Sequence, residues 1–290
     1  MSEQSLPLAA FAPAKINLFL EVTGRRADGY HLLDSLVVFA GIGDSVEVAP
    51  AERLELHLDG PFGAGLAAEP DNLVLRAARA LAESHGVAAR ASIRLTKRLP
   101  IASGIGGGSS DAAAALRALS ALWSLSPDPA SLRDLALGLG ADVPACLLAR
   151  PLRMQGIGER LTPLAPLPPL SVLLVNPLRP VPTGQVFRHP ALVFSGARPF
   201  GPDLHGPASL VEFLRTRRND LEAPAIAIEP EIGRVLSLLE TLPGSLLARM
   251  SGSGATCFAL FAEAAAAELA ARRMREIEPS WWVAAGPVLP

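Results

Sequence analysis

Residues Pro100 to Ala115, Pro-Ile-Ala-Ser-Gly-Ile-Gly-Gly-Gly-Ser-Ser-Asp-Ala-Ala-Ala-Ala, constrain this chain more than any other stretch. Gly104, Gly106, Gly107 and Gly108 lack Cβ atoms, so the backbone there can take positive φ and lie directly against a ligand. An alanine-rich helix follows, which Ser109, Ser110 and Asp111 are expected to cap. A glycine loop feeding a helix N-terminus presents free N–H groups and the positive end of the helix dipole, which suits an anion. An ordinary tight turn before a helix needs only one or two glycines. Four of them, with two serines, point to phosphate.

Two familiar phosphate loops do not fit. The pattern G-x-x-x-x-G-K-[ST] is absent, because neither lysine of the chain follows a glycine. A dinucleotide fingerprint needs a third glycine where Ser109 stands and an acidic residue ending a strand about 20 residues on. That region reads Ser124-Leu-Ser-Pro-Asp-Pro, a loop.

Composition narrows the setting. A chain of 290 residues with 50% hydrophobic content can build one large unit or two domains. A net charge of −2, with no basic run, argues against nucleic acid as an electrostatically captured partner. Cys146 and Cys257 lie in apolar segments without metal spacing and read as buried thiols of a reducing compartment. Met1–Ser5 carries no basic stretch ahead of an apolar run, and apolar runs such as Ser171–Val175 are too short to span a bilayer. A soluble, cytoplasmic protein with no membrane partner is expected. Of the 26 lysines and arginines only Lys15 and Lys97 are lysines. Where lysine survives such a bias, a compact, flexible point charge is a physical reason to keep it; chance survival is the alternative.

Short runs of β-forming residues occur at Ile16–Val22, Leu36–Ala40, Ser45–Ala49, Leu54–Leu58 and Ala91–Thr96. Asp71 or Asn72 can cap a helix from Leu73 to about His85, stopped by Gly86, and Ser131 with Asp134 starts another that ends near Gly138 or Gly140. The proline-dense Pro163–Pro169 reads as a linker, which sets domains at 1–162 and 163–290. Beyond it come strands at Ser171–Val175 and Thr256–Phe261 and helices near Ser209–Arg217, Glu231–Thr241 and Glu263–Glu276. Ser195–Pro207 looks disordered. The mixture of strands and segregated helices indicates an α+β fold.

Three segments carry a resemblance: the glycine-serine loop, Ala12-Pro-Ala-Lys-Ile-Asn-Leu, and Met250-Ser-Gly-Ser-Gly-Ala-Thr-Cys-Phe. In order and spacing they resemble the small-molecule kinases named for galactokinase, homoserine kinase, mevalonate kinase and phosphomevalonate kinase. Gly24-Arg-Arg-Ala-Asp-Gly-Tyr-His, Gly140-Ala-Asp-Val-Pro, Gly156-Ile-Gly-Glu, Pro182-Thr-Gly-Gln-Val-Phe and Asn219-Asp-Leu-Glu extend the similarity along nearly the whole chain. They are similar to the branch whose acceptor is cytidine diphosphate methylerythritol, in non-mevalonate isoprenoid synthesis. The resemblance implies a two-domain α+β kinase with an unusual left-handed β-α-β unit, using ATP and Mg²⁺, as monomer or homodimer.

Phosphorylating an alcohol requires a clamp on the phosphates, a cation near the developing charge and a base for the hydroxyl proton. The resemblance gives the base to Asp142, whose alternative is a helix cap, and sets Lys15 across from it as the polarising cation. It gives ATP to Pro100, Ser103, Gly104, Gly106, Gly107, Gly108, Ser109 and Ser110, with Ser110 also a Mg²⁺ ligand. Asn72 and Lys97 would approach the adenine and ribose, with a helix cap and a surface charge as their alternatives. Tyr30, the only tyrosine, would sandwich the cytosine with Phe187 while His31 bonds the base edge; Asn17 and Thr183 would meet the rest of the acceptor. Asp111 is expected to complete the helix cap, and His57, His85, His189 and His205 show no ligand spacing. A sister kinase for another alcohol would not need the Tyr30–Phe187 pair. A silent nucleotide-binding regulator would not need both Lys15 and Asp142.

Overall fold

The computed structural model describes residues 8–66, 71–201 and 206–290. The chain divides into two compact units, each assembled from separate stretches. The first takes the residues up to 14, with 43–101 and 106–148; the second takes 15–42, 102–105 and 149–290. Two long strands, β1 (Leu8–Arg25) and β2 (His31–Ala49), each give their two halves to different units.

In the first unit, β3 (Leu54–Asp59) and β4 (Ala91–Thr96) run parallel, in register from Leu54 with Ala91 to Asp59 with Thr96. Between them lie a 3₁₀ turn at Gly63–Leu66 and α1 (Leu73–Ser84), which makes a β-α-β unit. The Ser45–Ala49 part of β2 pairs antiparallel with β4. Helix α1 buries Val74, Ala77, Ala78, Leu81 and Ala82, the i, i+3, i+4 rhythm of one face. Asn72 caps it, its side chain accepting from the Val74 N–H at 2.9 Å. Helix α2 (Gly107–Leu122) is buried on most sides by Ala112–Leu116, Ala118 and Leu119, and its alanines let α1 and α4 (Val143–Leu148) pack close. Helix α3 (Pro129–Leu139) starts at Asp128, whose carboxylate accepts from Ser131, so the expected Ser131 start lies inside the first turn.

In the second unit, residues 33–37 of β2 pair antiparallel with β5 (Leu152–Gly156), which forms a hairpin with β6 (Arg160–Pro163). Strands β7 (Ser171–Asn176), β8 (Leu247–Met250), β9 (Cys257–Phe261) and β10 (Trp282–Pro287) form an antiparallel sheet in the order β10-β7-β9-β8. Every residue of β7 and β9 is buried, as the two central strands require. Helices α8 (Glu231–Thr241) and α9 (Ala264–Ile277) cover the sheet through Ile232, Val235, Leu239, Ala267, Ala271 and Met274. Helices α5 (Thr183–Arg188), α6 (Pro207–Arg215) and α7 (Glu222–Ile228) complete the unit.

The structure departs from the sequence expectation in several places. Leu36–Ala40 and Ser45–Ala49 are one strand, not two. Gly43, between them, is no turn: a Cβ there would collide with the Ala12 carbonyl of β1. The proline-dense stretch joins β6 to β7, both in the second unit. Residues 195–201 lack regular structure yet are held by side-chain hydrogen bonds, and His205 lies outside the described residues. Among the described residues no helix is long and apolar enough to cross a membrane.

Asn72→Ala removes the α1 cap and is expected to cost about 1 kcal/mol in chemical denaturation, while Asn72→Asp, which keeps an acceptor, stays near wild type.

Candidate active site

The glycine-serine loop is built by close approach. Gly104 lies in the left-handed region with φ +77°, and a Cβ there would stand 2.6 Å from the Gly254 carbonyl oxygen and 2.7 Å from that of Ser251. The Ser251 hydroxyl donates to the Gly104 carbonyl at 3.2 Å, and the Thr256 N–H donates to the Ser103 carbonyl. The Met250–Phe258 motif therefore packs on residues 103 and 104. Gly106, with φ +62°, precedes α2, and no side chain caps the helix. Ser109, Ser110 and Asp111 do not cap as expected, because the left-handed Gly106 starts the helix early and leaves them inside its first turns. The α2 start thus keeps its dipole end and early N–H groups without a side-chain acceptor, the physical requirement of an anion site. Gly108 is exposed, with open space where a Cβ would stand.

Serine 110 is fully buried and donates its hydroxyl proton to the Pro13 carbonyl at 2.8 Å. Among the described residues no group of three or more His, Cys, Asp or Glu side chains is placed to hold a metal ion. A dedicated all-protein Mg²⁺ cage does not fit these residues.

Lys97 and Asp111 meet instead of capping or facing solvent. The Lys97 ammonium donates to Asp44 at 2.5 Å and to Asp111 at 2.7 Å, and all three side chains are buried. The other Asp44 oxygen accepts from the Arg98 and Leu99 N–H groups. Burial alone would lower Lys97, but Asp111 and Asp44 raise it above its ordinary value. Burial pushes the Asp111 carboxyl up to about 8, against the pull of Lys97 and with a further push from Asp44. The Lys97 ammonium also lies 2.9 Å from where a Gly107 Cβ would stand. It thus ties the end of β4 and a residue of β2 to the first turns of α2. Asp44 escaped the sequence reading; the signal for it was that a retained, buried lysine needs a carboxylate partner.

Lys15 is buried, with its ammonium 3.4 Å from the Asn17 side-chain oxygen. The Asn17 amide donates to the Ser35 hydroxyl at 2.7 Å, which donates to the Phe19 carbonyl at 2.6 Å. The Asn17 N–H donates to the Ser251 hydroxyl. Asn17 is therefore held from two directions and presents its carbonyl oxygen to Lys15. Asp142 is half-buried immediately before α4, where its backbone carbonyl accepts from the Cys146 N–H.

The Gly24–His31 segment ends in an aromatic group. The His31 and Phe187 rings lie 5.1 Å apart, tilted by 30°, and Phe194 meets His31 edge-on at 5.6 Å and 82°. Tyr30, next to His31, is 60% exposed. Burial, with help from Arg25, lowers His31 below its ordinary value, which keeps the imidazole neutral at pH 7. Thr183, exposed at the start of α5, shares a hydrogen bond with Ser253 at 2.8 Å. Phe194 was missed in the sequence because it falls in a stretch without periodicity.

An uncapped, glycine-rich helix start, a lysine held beside an asparagine, and an aromatic platform define a class before they define a member. Residues 72–150 match the GHMP kinases N terminal domain and residues 206–279 the GHMP kinases C terminal domain. The chain belongs to the GHMP kinases; it is a kinase, with ATP as phosphoryl donor. It is 57% identical over 280 residues to the 4-diphosphocytidyl-2-C-methyl-D-erythritol kinase of Cereibacter sphaeroides, covering 95% of this chain and 97% of that protein. The enzyme of the same name from Paramagnetospirillum magneticum is 53% identical over 278 residues, or 96% and 97% of the two chains. A solved 4-(cytidine 5'-diphospho)-2C-methyl-D-erythritol kinase superposes with a TM-score of 0.78 at 39% identity, covering 97% of this chain and 99% of that one.

Two predictions follow from the loop and from the buried lysine. Gly104→Ala, with backbone carbonyls in its way and a positive φ, is expected to lower the melting temperature markedly. Gly108→Ala leaves folding intact and weakens ATP binding alone, read as melting curves beside KM for ATP. An acid raised from 3.8 unfolded to about 8 folded holds its proton more tightly in the folded state. Its stabilisation is complete below the unfolded value and is lost as pH rises through about 8. Accordingly, the stability difference between wild type and Asp111→Asn is expected to move against wild type between about pH 5 and pH 8.5 in paired melting curves.

Proposed function

We propose that the chain transfers the γ-phosphoryl group of ATP to the 2-hydroxyl of 4-diphosphocytidyl-2-C-methyl-D-erythritol, in non-mevalonate isoprenoid precursor synthesis. The observation that carries this choice among small alcohols is the His31–Phe187 ring pair with Tyr30 exposed beside it. A pyrimidine ring stacks on such surfaces with about 1–3 kcal/mol per base, a gain that an acceptor without a base cannot collect. Neutral imidazole offers one donor and one acceptor nitrogen, which suits the mixed donor and acceptor edge of cytosine.

In this proposal the start of α2 holds the ATP phosphates through its N–H groups and dipole. Pro100, Ser103, Gly104, Gly106, Gly107, Gly108 and Ser109 shape that cradle. Mg²⁺ bound to ATP would neutralise charge on the phosphates. The acceptor oxygen attacks the γ-phosphorus as the bond to the ADP oxygen breaks, and the hydroxyl proton passes to Asp142. Lys15 polarises that hydroxyl, and the hydrogen bonds of Asn17 hold the lysine head in one place. ADP and the acceptor phosphomonoester leave.

ADP release with MgATP tests the acceptor when 4-diphosphocytidyl-2-C-methyl-D-erythritol, mevalonate and homoserine are offered in parallel. Turnover with the first alone is expected; turnover only with one of the others would mean a sister kinase. Asp142→Asn is expected to lower kcat by ~10² or more with ATP binding unchanged, and near-normal turnover by the pure variant would remove Asp142 as base.

A further inference from the structure

The Asn219-Asp220-Leu221-Glu222 motif and the stretch after α5 have no part in the reaction described above, yet they meet. The Asp220 carboxylate accepts from the Val22 N–H at 2.7 Å and from the Ser195 N–H at 3.0 Å through one oxygen. Its other oxygen accepts from the Ser195 hydroxyl at 2.8 Å and from Arg218 at 2.6 Å. A single buried side chain therefore joins β1, two residues before the Gly24–Tyr30 segment, to the strap that follows α5. The Gly196 N–H adds a bond to the Val22 carbonyl at 3.3 Å. Farther along, Arg217 donates to the Pro199 carbonyl, and Phe200 lies under Arg153 at 4.5 Å and edge-on to Phe213 at 5.7 Å. Residues 195–200, without any regular structure, are fixed at both ends.

The strap delivers Phe194, the residue just before Ser195. Phe194 is 43% exposed, so part of the side chain stays packed against its neighbours. One of those neighbours is His31: Phe194 stands edge-on to the imidazole while Phe187 lies along its face. With Phe187 tilted by 30° against its face and Phe194 edge-on at 82°, the imidazole is restricted in rotation and partly shielded from water.

We infer that Phe194 is a positioning residue for His31, set in place by the Asp220-pinned strap, and that it determines selectivity for a cytosine-bearing acceptor. It acts through His31. The imidazole of a bare platform could turn and satisfy a uracil edge as readily as a cytosine edge; held between Phe187 and Phe194 it keeps one orientation. The inference rests on the acceptor proposed above, while its structural half, the hold of Phe194 on His31, stands independently of the acceptor.

The test is Phe194→Ala, with Phe194→Tyr as the conservative variant, read in two ways. In the ligand-free protein, NMR titration of the His31 imidazole is expected to move up toward its ordinary value in Phe194→Ala and to stay near wild type in Phe194→Tyr. Phe187, on α5, and the Arg25 guanidinium remain in place in both. With substrate, KM for the cytidine acceptor is expected to rise by about 3- to 10-fold in Phe194→Ala, the worth of one aromatic pair, with kcat and KM for ATP unchanged. Discrimination against the uridine analogue should fall with it. An unchanged His31 titration in folded Phe194→Ala overturns the inference, whatever the kinetics. A wild type that ignores the cytidine compound removes the proposed acceptor instead, and the titration then decides whether Phe194 positions His31. Should Phe194→Ala fail to fold, Phe194→Leu takes its place in the same titration, because leucine keeps the volume and loses the ring edge.

Discussion

The ion pair of Lys97 with Asp44 and Asp111 is the interaction on which the donor half of the structure depends. The Lys97 ammonium and the Asp44 and Asp111 carboxyl groups are out of water together, so each is tolerable only while the others stay. Removing one partner of such a buried group costs about 3–5 kcal/mol, far more than a surface pair. That dependence has a geometric use. Asp111 belongs to α2, Lys97 directly follows β4, and Asp44 also takes the N–H groups of Arg98 and Leu99. The direction of the α2 start, and so of its early N–H groups, is set by that contact.

Glycine serves the same loop in the opposite sense, by leaving room. Gly104 admits the carbonyls of Ser251 and Gly254, and Gly107 admits the Lys97 ammonium. The N-terminal Lys15 segment joins this arrangement through Ser251, which accepts from Asn17 and donates to Gly104. One hydroxyl thus links the segment carrying the proposed polarising cation to the glycine loop. Three segments far apart in sequence are shaped by shared hydrogen bonds.

Much of this was legible from the chain alone, because the residues involved are chemically costly anywhere else. Four glycines among the five residues 104–108 before an alanine-rich stretch, a lone tyrosine beside a histidine, and two surviving lysines each announce a constraint. The helix at 73–84 and the strand at 91–96 were visible from periodicity and from the Asn72 cap. What remained hidden depends on distant partners. Asp44 lies 53 residues from Lys97, and nothing local marks it as the other end of an ion pair. Leu36–Ala40 and Ser45–Ala49 read as two strands, whereas they are one, with Gly43 admitting the Ala12 carbonyl. Ser109–Asp111 read as caps because residue type does not reveal that Gly106 has already started the helix. Ser195–Phe200 looked disordered because its order comes from Asp220, Arg217 and Arg153, not from its own pattern.

The proposed reaction rests on two kinds of recognition: a phosphate clamp built from backbone, and an acceptor platform built from rings around His31. In that proposal the first holds ATP and the second chooses the alcohol. The most direct test of the whole is the position of the transferred phosphate. With MgATP and 4-diphosphocytidyl-2-C-methyl-D-erythritol, phosphorus NMR of the product should show a new phosphomonoester on the tertiary C2 oxygen, the diphosphate bridge to cytidine intact. No phosphomonoester, or one on a different hydroxyl, would contradict the account.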